Sequence, residues 1–271
     1  MFGIVIAIAR LDPIAEVSDR LKQLSTDLTL DLSRLHLNEK ELLEVTRTFK
    51  KCERSSRFRL DISGVELSPE DESNIRQLLP ECRHLTIGST ASQTGFWEIF
   101  EKCETKNLEI LEILAVEFRT EMQLARILEK CDSVKELRLA GIQISNLTEP
   151  TTLPALVKLP MVIRDLPHLK KLDLSFNAWI ADETWQKILE GLENLEEIVI
   201  NEITSDVKFE STWLPNLCKF SARGSHLHWD TCFEMLSILE KIEKIDIRHT
   251  RIDANLVESL KNGTANLEIL N

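Results

Sequence analysis

An α/β solenoid, built from one strand and one helix per unit, is the fold that residues 169–200, LKKLDLSFNAWIADETWQKILEGLENLEEIVI, predict. Three observations in this stretch carry the prediction. Leu169, Leu172 and Leu174 stand at L-x-x-L-x-L spacing, with Asn177 and Ile180 behind them, the pattern of a short strand and its exit turn. Trp185, Ile188, Leu189 and Leu192 then fall at i, i+3, i+4 and i+7, one apolar helical stripe, with Asp182 expected as N-cap. Leu195, Ile198 and Ile200 restart the strand spacing, and the 26 residues from Leu172 to Ile198 suit a stacked strand–helix repeat.

The totals agree with a single solenoid over residues 1–271, because each unit of such a fold packs only on its neighbours and domain size is not limited by one core. A net charge of −12, from 33 Lys and Arg against 45 Asp and Glu, disfavours binding to a phosphate backbone, so no nucleic-acid partner is expected. The opening MFGIVIAIAR lacks a basic start and a small-residue cleavage site, and no apolar run approaches the roughly 20 residues of a membrane helix. A cytoplasmic protein without membrane contact is the expectation, although glycosylation triplets occur at Asn146 and Asn262.

The cysteines point the same way. Cys52, Cys82, Cys103 and Cys131 each end an expected helix just before a strand, in KKCE, PECR, EKCE and EKCD. One shared position in successive repeats suits small buried residues, one per rung, and all four are expected reduced and inaccessible.

Along the chain, FGIVIAI reads as a first strand and Ile14 to Leu24 as its helix. LDLSRLHL from Leu30 and LDISGVEL from Leu60 are two copies of one strand pattern, with helices expected at 39–52 and at 69–82, the second capped by Ser68. A shorter strand is expected at Leu85 to Ile87, a helix at Gly95 to Cys103, and further units at Leu111 and Leu137. From Leu137 to Leu172 the spacing stretches to 35 residues, and the surplus carries Pro150, Pro154, Pro160 and Pro167, so an inserted loop is expected over about 145–168. NEITSDVKFESTWLPN shows no helical stripe, which predicts a turn of the solenoid without a full helix. Units at Phe220 and Ile245 follow, about ten repeats in all, and an unfinished one at 267–271 marks either a fragment or a sheet that ends without a helix.

Strands stack about 4.8 Å apart and helices about 10 Å apart, so the ladder is expected to bend into a horseshoe with its parallel sheet on the concave face and its helices on the convex face. The position after the central apolar residue of each strand then forms an outward column: Asp31, Asp61, Thr86, Glu112, Arg138, Asp173, Val199, Ser221 and Asp246. Two positions on, the last repeats offer Arg223 and Arg248, with His249 beside the latter. Asp31, Asp61, Glu112, Arg138, Asp173, Arg223, Asp246, Arg248 and His249 are the candidate partner-binding residues, and their side chains are expected to face water. The insertion is the rival site. Trp97 and Trp185 are expected in the core, and Trp179, Trp213 and Trp229 as exposed anchors in turns.

These units resemble the ribonuclease-inhibitor type of leucine-rich repeat. LEKCDSVKELRLAGIQI, residues 128–144, resembles the cysteine-containing variant of F-box leucine-rich proteins, and LPHLKKLDLSFNAWIADETWQKILEGLENLEEIVI resembles the carboxyl-terminal repeats of NLR sensors of the apoptosis-inhibitory-protein type. The resemblance implies a non-enzymatic protein-recognition module that senses a ligand or holds a sensor inactive, or else the substrate-recognition domain of a ubiquitin ligase. There is no G-x-x-x-x-G-K-[ST] loop and no recognisable F-box. No cofactor is implied. A third reading, a metal-dependent hydrolase, rests on His226, His228, Asp230 and Cys232 in HLHWDTC, where alternate residues could share a face; Asp230 serves equally as a helix N-cap.

Overall fold

The computed structural model describes residues 4–6, 28–31, 58–64, 75–88, 100, 103, 105–145, 158–207, 210–227, 242–250, 258 and 268–270. By its internal contacts the chain divides into two compact units, Met1–Glu117 with Arg126–Val134, and Phe118–Ala125 with Lys135–Asn271.

The first unit is a parallel sheet of β1 (Ile4–Ile6), β2 (Leu28–Asp31), β3 (Phe58–Asp61), β4 (Cys82–Gly88) and β5 (Ile110–Leu114), each strand hydrogen-bonded to the next in sequence. Its register aligns Leu30, Leu60, Leu85 and Leu111 in one row and Asp31, Asp61, Thr86 and Glu112 in the next. Leu60, Leu85 and Leu111 are fully buried, so the row that the repeat pattern marks as apolar is the core row. β4 is longer than expected, seven residues rather than three, and Arg83 is an extra residue opposite the Phe58–Arg59 step. Such a bulge sets two residues opposite one and increases the local twist.

After β5 in sequence come two-residue β6 (Glu117–Phe118), helix α1 (Glu121–Leu128), strand β7 (Glu136–Ala140) and two-residue β8 (Gln143–Ile144). The second unit is a parallel sheet of β7, β9 (Lys171–Asp173), β10 (Glu197–Val199), β11 (Lys219–Ser221), β12 (Lys244–Asp246) and β13 (Glu268–Leu270). Leu137, Leu172, Ile198, Phe220, Ile245 and Ile269 form its core row, and Arg138, Asp173, Val199, Ser221, Asp246 and Leu270 the row beside it. Helices α2 (Lys158–Arg164) and α3 (Asp182–Leu189) pack on each other, with Leu159, Ile163, Trp185, Ile188 and Leu189 all buried.

Helix α2 corrects the expected loop over 145–168. Pro160 is its third residue, where an amide N–H would have no intrahelical partner, so the ring removes no intrahelical hydrogen bond there. The Glu121 carboxylate accepts from the N–H groups of Lys158 and Leu159, each at 3.5 Å, an anion at the helix start where the dipole favours one. Residues 146–157 lie outside the described part. The capping of α3 also differs from expectation. Ala181 is the N-cap, without a side-chain bond, and Asp182 instead accepts from the Asp206 N–H at 2.8 Å. Trp185 donates from Nε1 to Ser205 Oγ at 3.1 Å. Both bonds tie α3 to the following repeat, where the described residues show only the turn Ser211–Trp213 in place of a helix. There the stripe is missing, as the sequence implies.

Two ladders of polar side chains hold successive repeats together. Four residues before the core row, Asn107, Ser133, Asn194 and Asn216 donate to the carbonyls of Pro80, Lys106, Pro167 and Glu193, each one position further back in the preceding repeat. Five residues after it, Asn177 Oδ1 accepts from the Ile142 N–H at 2.8 Å while its Nδ2 donates to the carbonyls of Leu139 and Leu174. Ser225 repeats that role, accepting from the Ile203 N–H at 2.8 Å and donating to the Ile200 carbonyl. Buried backbone groups must be paired, and at this position a polar residue in one repeat serves an apolar one in the repeat before. Asn177 was expected from the motif; the Asn and Ser four residues ahead of each core residue are an equally regular signal that the sequence reading passed over.

Candidate protein-binding surface

The register brings the candidate residues into the rows expected of them within each unit, yet it does not leave them all facing water. Asp173 and Asp246 are buried, 7% and 9% exposed, as is Thr86 at 4%. The cause is local hydrogen bonding. Asp61, Asp173 and Asp246 each accept, through Oδ1, from the N–H two residues on, that of Ser63 at 3.0 Å, Ser175 at 2.9 Å and Arg248 at 3.2 Å. This closes the strand end as an Asx turn, a task that suits a short carboxylate at this row. The side chain of Asp31 and its surroundings lie outside the described part, although its backbone pairs with that of Asp61.

Charge partners complete the enclosure. In the first unit, Glu112 Oε2 accepts from His84 Nε2 at 3.0 Å and Thr86 Oγ1 at 2.8 Å, with Arg59 at 3.6 Å. The His84 bond, then that of Thr86 and the nearby positive charges, outweigh desolvation and hold the Glu112 carboxyl down at about 2. In the second unit, Arg138 Nε lies 2.9 Å from Asp173 Oδ2. Arg248 grips Asp246 with two parallel bonds, Nε to Oδ1 at 2.9 Å and Nη2 to Oδ2 at 2.6 Å. That grip, opposed by burial and helped by the charge of Arg223, holds the Asp246 carboxyl below its usual range. Lys171 and Glu197, one residue before the core row, pair at 2.8 Å.

What this row of the second unit shows to solvent, among the described residues, is therefore not a run of carboxylates. The guanidinium ends of Arg138 and Arg248 are outermost, their side chains 46% and 41% exposed over carboxylates at 11% and 13%. Arg223 is half-buried and His249 exposed.

Beyond the strand lies a feature that the sequence reading missed. Gly64, Ala115, Gly141, Phe176, Glu202, Gly224 and His249 all stand four residues after the core row, and all have positive φ, between 52° and 71°. A backbone ladder accounts for it. The N–H groups of Gly64, Gly141, Phe176, Glu202 and Gly224 donate to the carbonyls of Gly88, Ser175, Asn201, Arg223 and Arg248, one position earlier in the next repeat. Glycine adopts this left-handed turn freely, and its recurrence at 64, 141 and 224 was the available signal. Phe176 adopts it at a cost and is 54% exposed.

The remaining candidates fall less favourably. Trp185 is in the core as expected. Trp179 and Trp213 are only partly exposed, and the Trp179 indole nitrogen is enclosed without a hydrogen-bond partner among the described residues, which corrects the expectation of an exposed anchor. His226 is exposed after β11, whereas His228, Asp230, Cys232, Trp97, Trp229 and Cys52 lie outside the described part. Cys82, Cys103 and Cys131 are free thiols and buried. Among the described residues no helix is long and apolar enough to cross a membrane.

No protein-family model and no curated protein matches the sequence. Solved structures resemble it in fold. One is Rad7 of yeast, in complex with Elc1, at 17% identity and a TM-score of 0.57 over 94% of this chain and 69% of that one. A leucine-rich repeat protein of Leptospira interrogans is similar at 16% identity and 0.54, over 100% and 70%. LegL7 of Legionella pneumophila is similar at 12% identity and 0.53, over 99% and 89%. Together with the parallel register in each unit, these likenesses make the fold that of leucine-rich repeat proteins, an α/β solenoid.

Proposed function

We propose that the chain is a non-enzymatic protein-recognition module that takes its partner on the strand face, the concave face of a bent ladder, in the cytoplasm and without contact to nucleic acid or membrane. The observation that supports this most directly is the strict row register, which projects equivalent side chains of successive repeats side by side so that moderate contacts add over a partner's surface. Internal pairing of the carboxylates shifts the weight within the candidate set toward Arg138, Arg223, Arg248 and His249. The segment 145–168 is the rival surface, its described part being helix α2 with Met161 exposed.

Within this reading we propose the sensing or autoinhibitory domain of an NLR-type sensor, on the resemblance carried by residues 166–200. A second reading, the substrate receptor of a ubiquitin ligase, is favoured by the likeness of residues 128–144 to F-box leucine-rich proteins and by the fold likeness to a protein solved together with a partner, Elc1. Affinity purification of the tagged chain followed by mass spectrometry separates the two. Cullin adaptors are expected for the ligase reading, and their consistent absence beside a specific other partner supports the sensor.

A further inference from the structure

We propose that Asn201 and Phe176, neighbours on the strand face of the second unit, hold an extended segment of a partner protein: the Asn201 amide donates to one of its main-chain carbonyls and the Phe176 ring takes an apolar side chain. This rests on the protein-recognition reading and gives it a partner chemistry.

The first observation is an amide whose donor half the fold does not use. Asn201 Oδ1 accepts from Ser221 Oγ and from the Arg223 N–H, both at 2.8 Å. A backbone N–H only donates, so the amide oxygen must face it and the orientation of the side chain is fixed. Nδ2 is thereby turned away from those two donors, is not enclosed, and makes no hydrogen bond among the described residues. Asn107, Asn177, Asn194 and Asn216, in contrast, all donate from Nδ2 to carbonyls of the fold. A carboxylate would accept the two bonds at Asn201 equally well, as Asp61, Asp173 and Asp246 accept the N–H two residues on. The fold accounts for the oxygen of Asn201 and leaves its two N–H donors to a partner.

The second observation is strain without burial. Phe176 holds φ at 61°, a conformation costly for a bulky side chain, while more than half of its surface meets water. The repeat ladder explains why the backbone is left-handed there; it does not explain an aromatic ring, since glycine stands at the same position one repeat earlier, at Gly141. Strained residues of this kind cluster at binding sites. The Phe176 N–H donates to the Asn201 carbonyl at 2.9 Å, which makes the two residues backbone neighbours in adjacent repeats.

Charge does not choose the partner here. Asn201 is followed by exposed Glu202, whose carboxylate lies over Gly224 where any side chain on that glycine would meet it, and half-buried Arg223 stands in the next repeat. The row before the core row likewise carries both signs, in Lys171, Glu197, Lys219, Lys244 and Glu268. The acceptor that every extended segment brings is its main-chain carbonyl. Half-exposed Val199, two residues before Asn201 and therefore on the same side of the strand, offers such a segment a second apolar contact.

The test is random-peptide display on the full chain, with separate counter-selections against Asn201→Asp and Phe176→Asn. Aspartate keeps an oxygen for Ser221 and Arg223 and removes the donor. A circular dichroism melt checks that both variants fold; if Asn201→Asp does not, the Phe176→Asn arm and the side-chain amide resonance of Asn201 in the parent carry the test. The expected result is a pool that shares an apolar residue, binds the parent, shifts the Asn201 amide signals and loses about tenfold or more on each variant. The loss on Asn201→Asp should persist at high salt, where an effect of the added charge alone would fade. Peptides whose binding requires an Asp or Glu side chain overturn the main-chain carbonyl as acceptor. Peptides that bind the parent and both variants alike overturn this site and leave the recognition module standing. Recovery of no peptide that binds the parent overturns both.

Discussion

Arg138 and Asp173 occupy the same row of adjacent strands, and the guanidinium of the first closes over the carboxylate of the second at 2.9 Å, leaving Asp173 only 7% exposed. The other oxygen of Asp173 accepts the Ser175 N–H. Removing the carboxylate strands a buried backbone donor and uncovers a cation, whereas removing the arginine leaves an anion that water still partly reaches. Asp173→Ala is therefore expected to cost about 2–3 kcal/mol in urea unfolding and Arg138→Ala about 1 kcal/mol. A combined reversal of Asp61, Glu112 and Asp173 to Lys should destabilise the fold, so charge reversal is no clean probe of binding at this row.

Glu112 makes the first unit sensitive to acid. Its carboxyl is held down at about 2, chiefly by the His84 bond, so the folded state binds that proton later than the unfolded chain does, whose ordinary value is 4.5. A depressed folded value means stability that is fully present above the unfolded value and lost as pH falls toward the folded one. Urea unfolding of the parent and Glu112→Gln should differ by a constant amount, on the order of 1–3 kcal/mol, from neutral pH to about pH 5. The difference should close progressively toward pH 2. A gap independent of pH would show that Glu112 acts through packing alone.

The core row and its neighbour were legible in the sequence because both follow from one periodicity: Leu137, Leu172, Ile198, Phe220 and Ile245 are the apolar residues that define each strand, and the row beside them follows by counting. Burial within that row was not legible, since it depends on whether a cation from the same or a neighbouring strand reaches the carboxylate. Asp182 shows the same limit: a good capping residue in sequence, it serves Asp206 of the next repeat instead. Phe176 and His249 in a left-handed turn were hidden because neither residue type signals positive φ. Only the glycines four residues behind Leu60, Leu137 and Phe220 announced that turn.

Asn177 is the most demanding single residue of the second ladder. It is 1% exposed and serves one backbone N–H and two carbonyls in two repeats. Asn177→Ala would leave three buried backbone groups without partners, each worth about 1–3 kcal/mol unless water enters. A loss of at least about 3 kcal/mol is expected. Ser225→Ala, which removes one acceptor and one donor contact, should cost less. Native-state hydrogen exchange at the Ile142 and Ile203 amides reports each effect at its own repeat.

The thiols should react in an order set by burial. Desolvation pushes Cys82 and Cys131 up to about 12, against a lesser rise at half-buried Cys218, where burial is joined by Glu243. Thiolate is the reactive form, so at pH 8 under native conditions Cys218 should be alkylated well before the other two. Mass spectrometry of the labelled chain resolves each site. Modification of Cys131 at the rate of Cys218 would contradict its placement against the Ile127 carbonyl.

Phe176 and Trp185 lie in one repeat and should respond oppositely to replacement. Trp185 is fully buried and bonded to Ser205, so Trp185→Ala is expected to cost about 3–5 kcal/mol. For Phe176 two terms nearly cancel. The covered part of its surface, on the order of 90 Å², is worth about 2 kcal/mol at roughly 25 cal/mol per Å². Replacement by asparagine, which tolerates the left-handed region, returns about 1–2 kcal/mol of backbone strain. Phe176→Asn should therefore change the unfolding free energy by no more than about 1 kcal/mol, measurable in the same urea titration. An aromatic side chain that the fold does not need for stability is then free to be judged by binding, and a loss above about 3 kcal/mol would instead make Phe176 a packing residue and remove it from the partner surface.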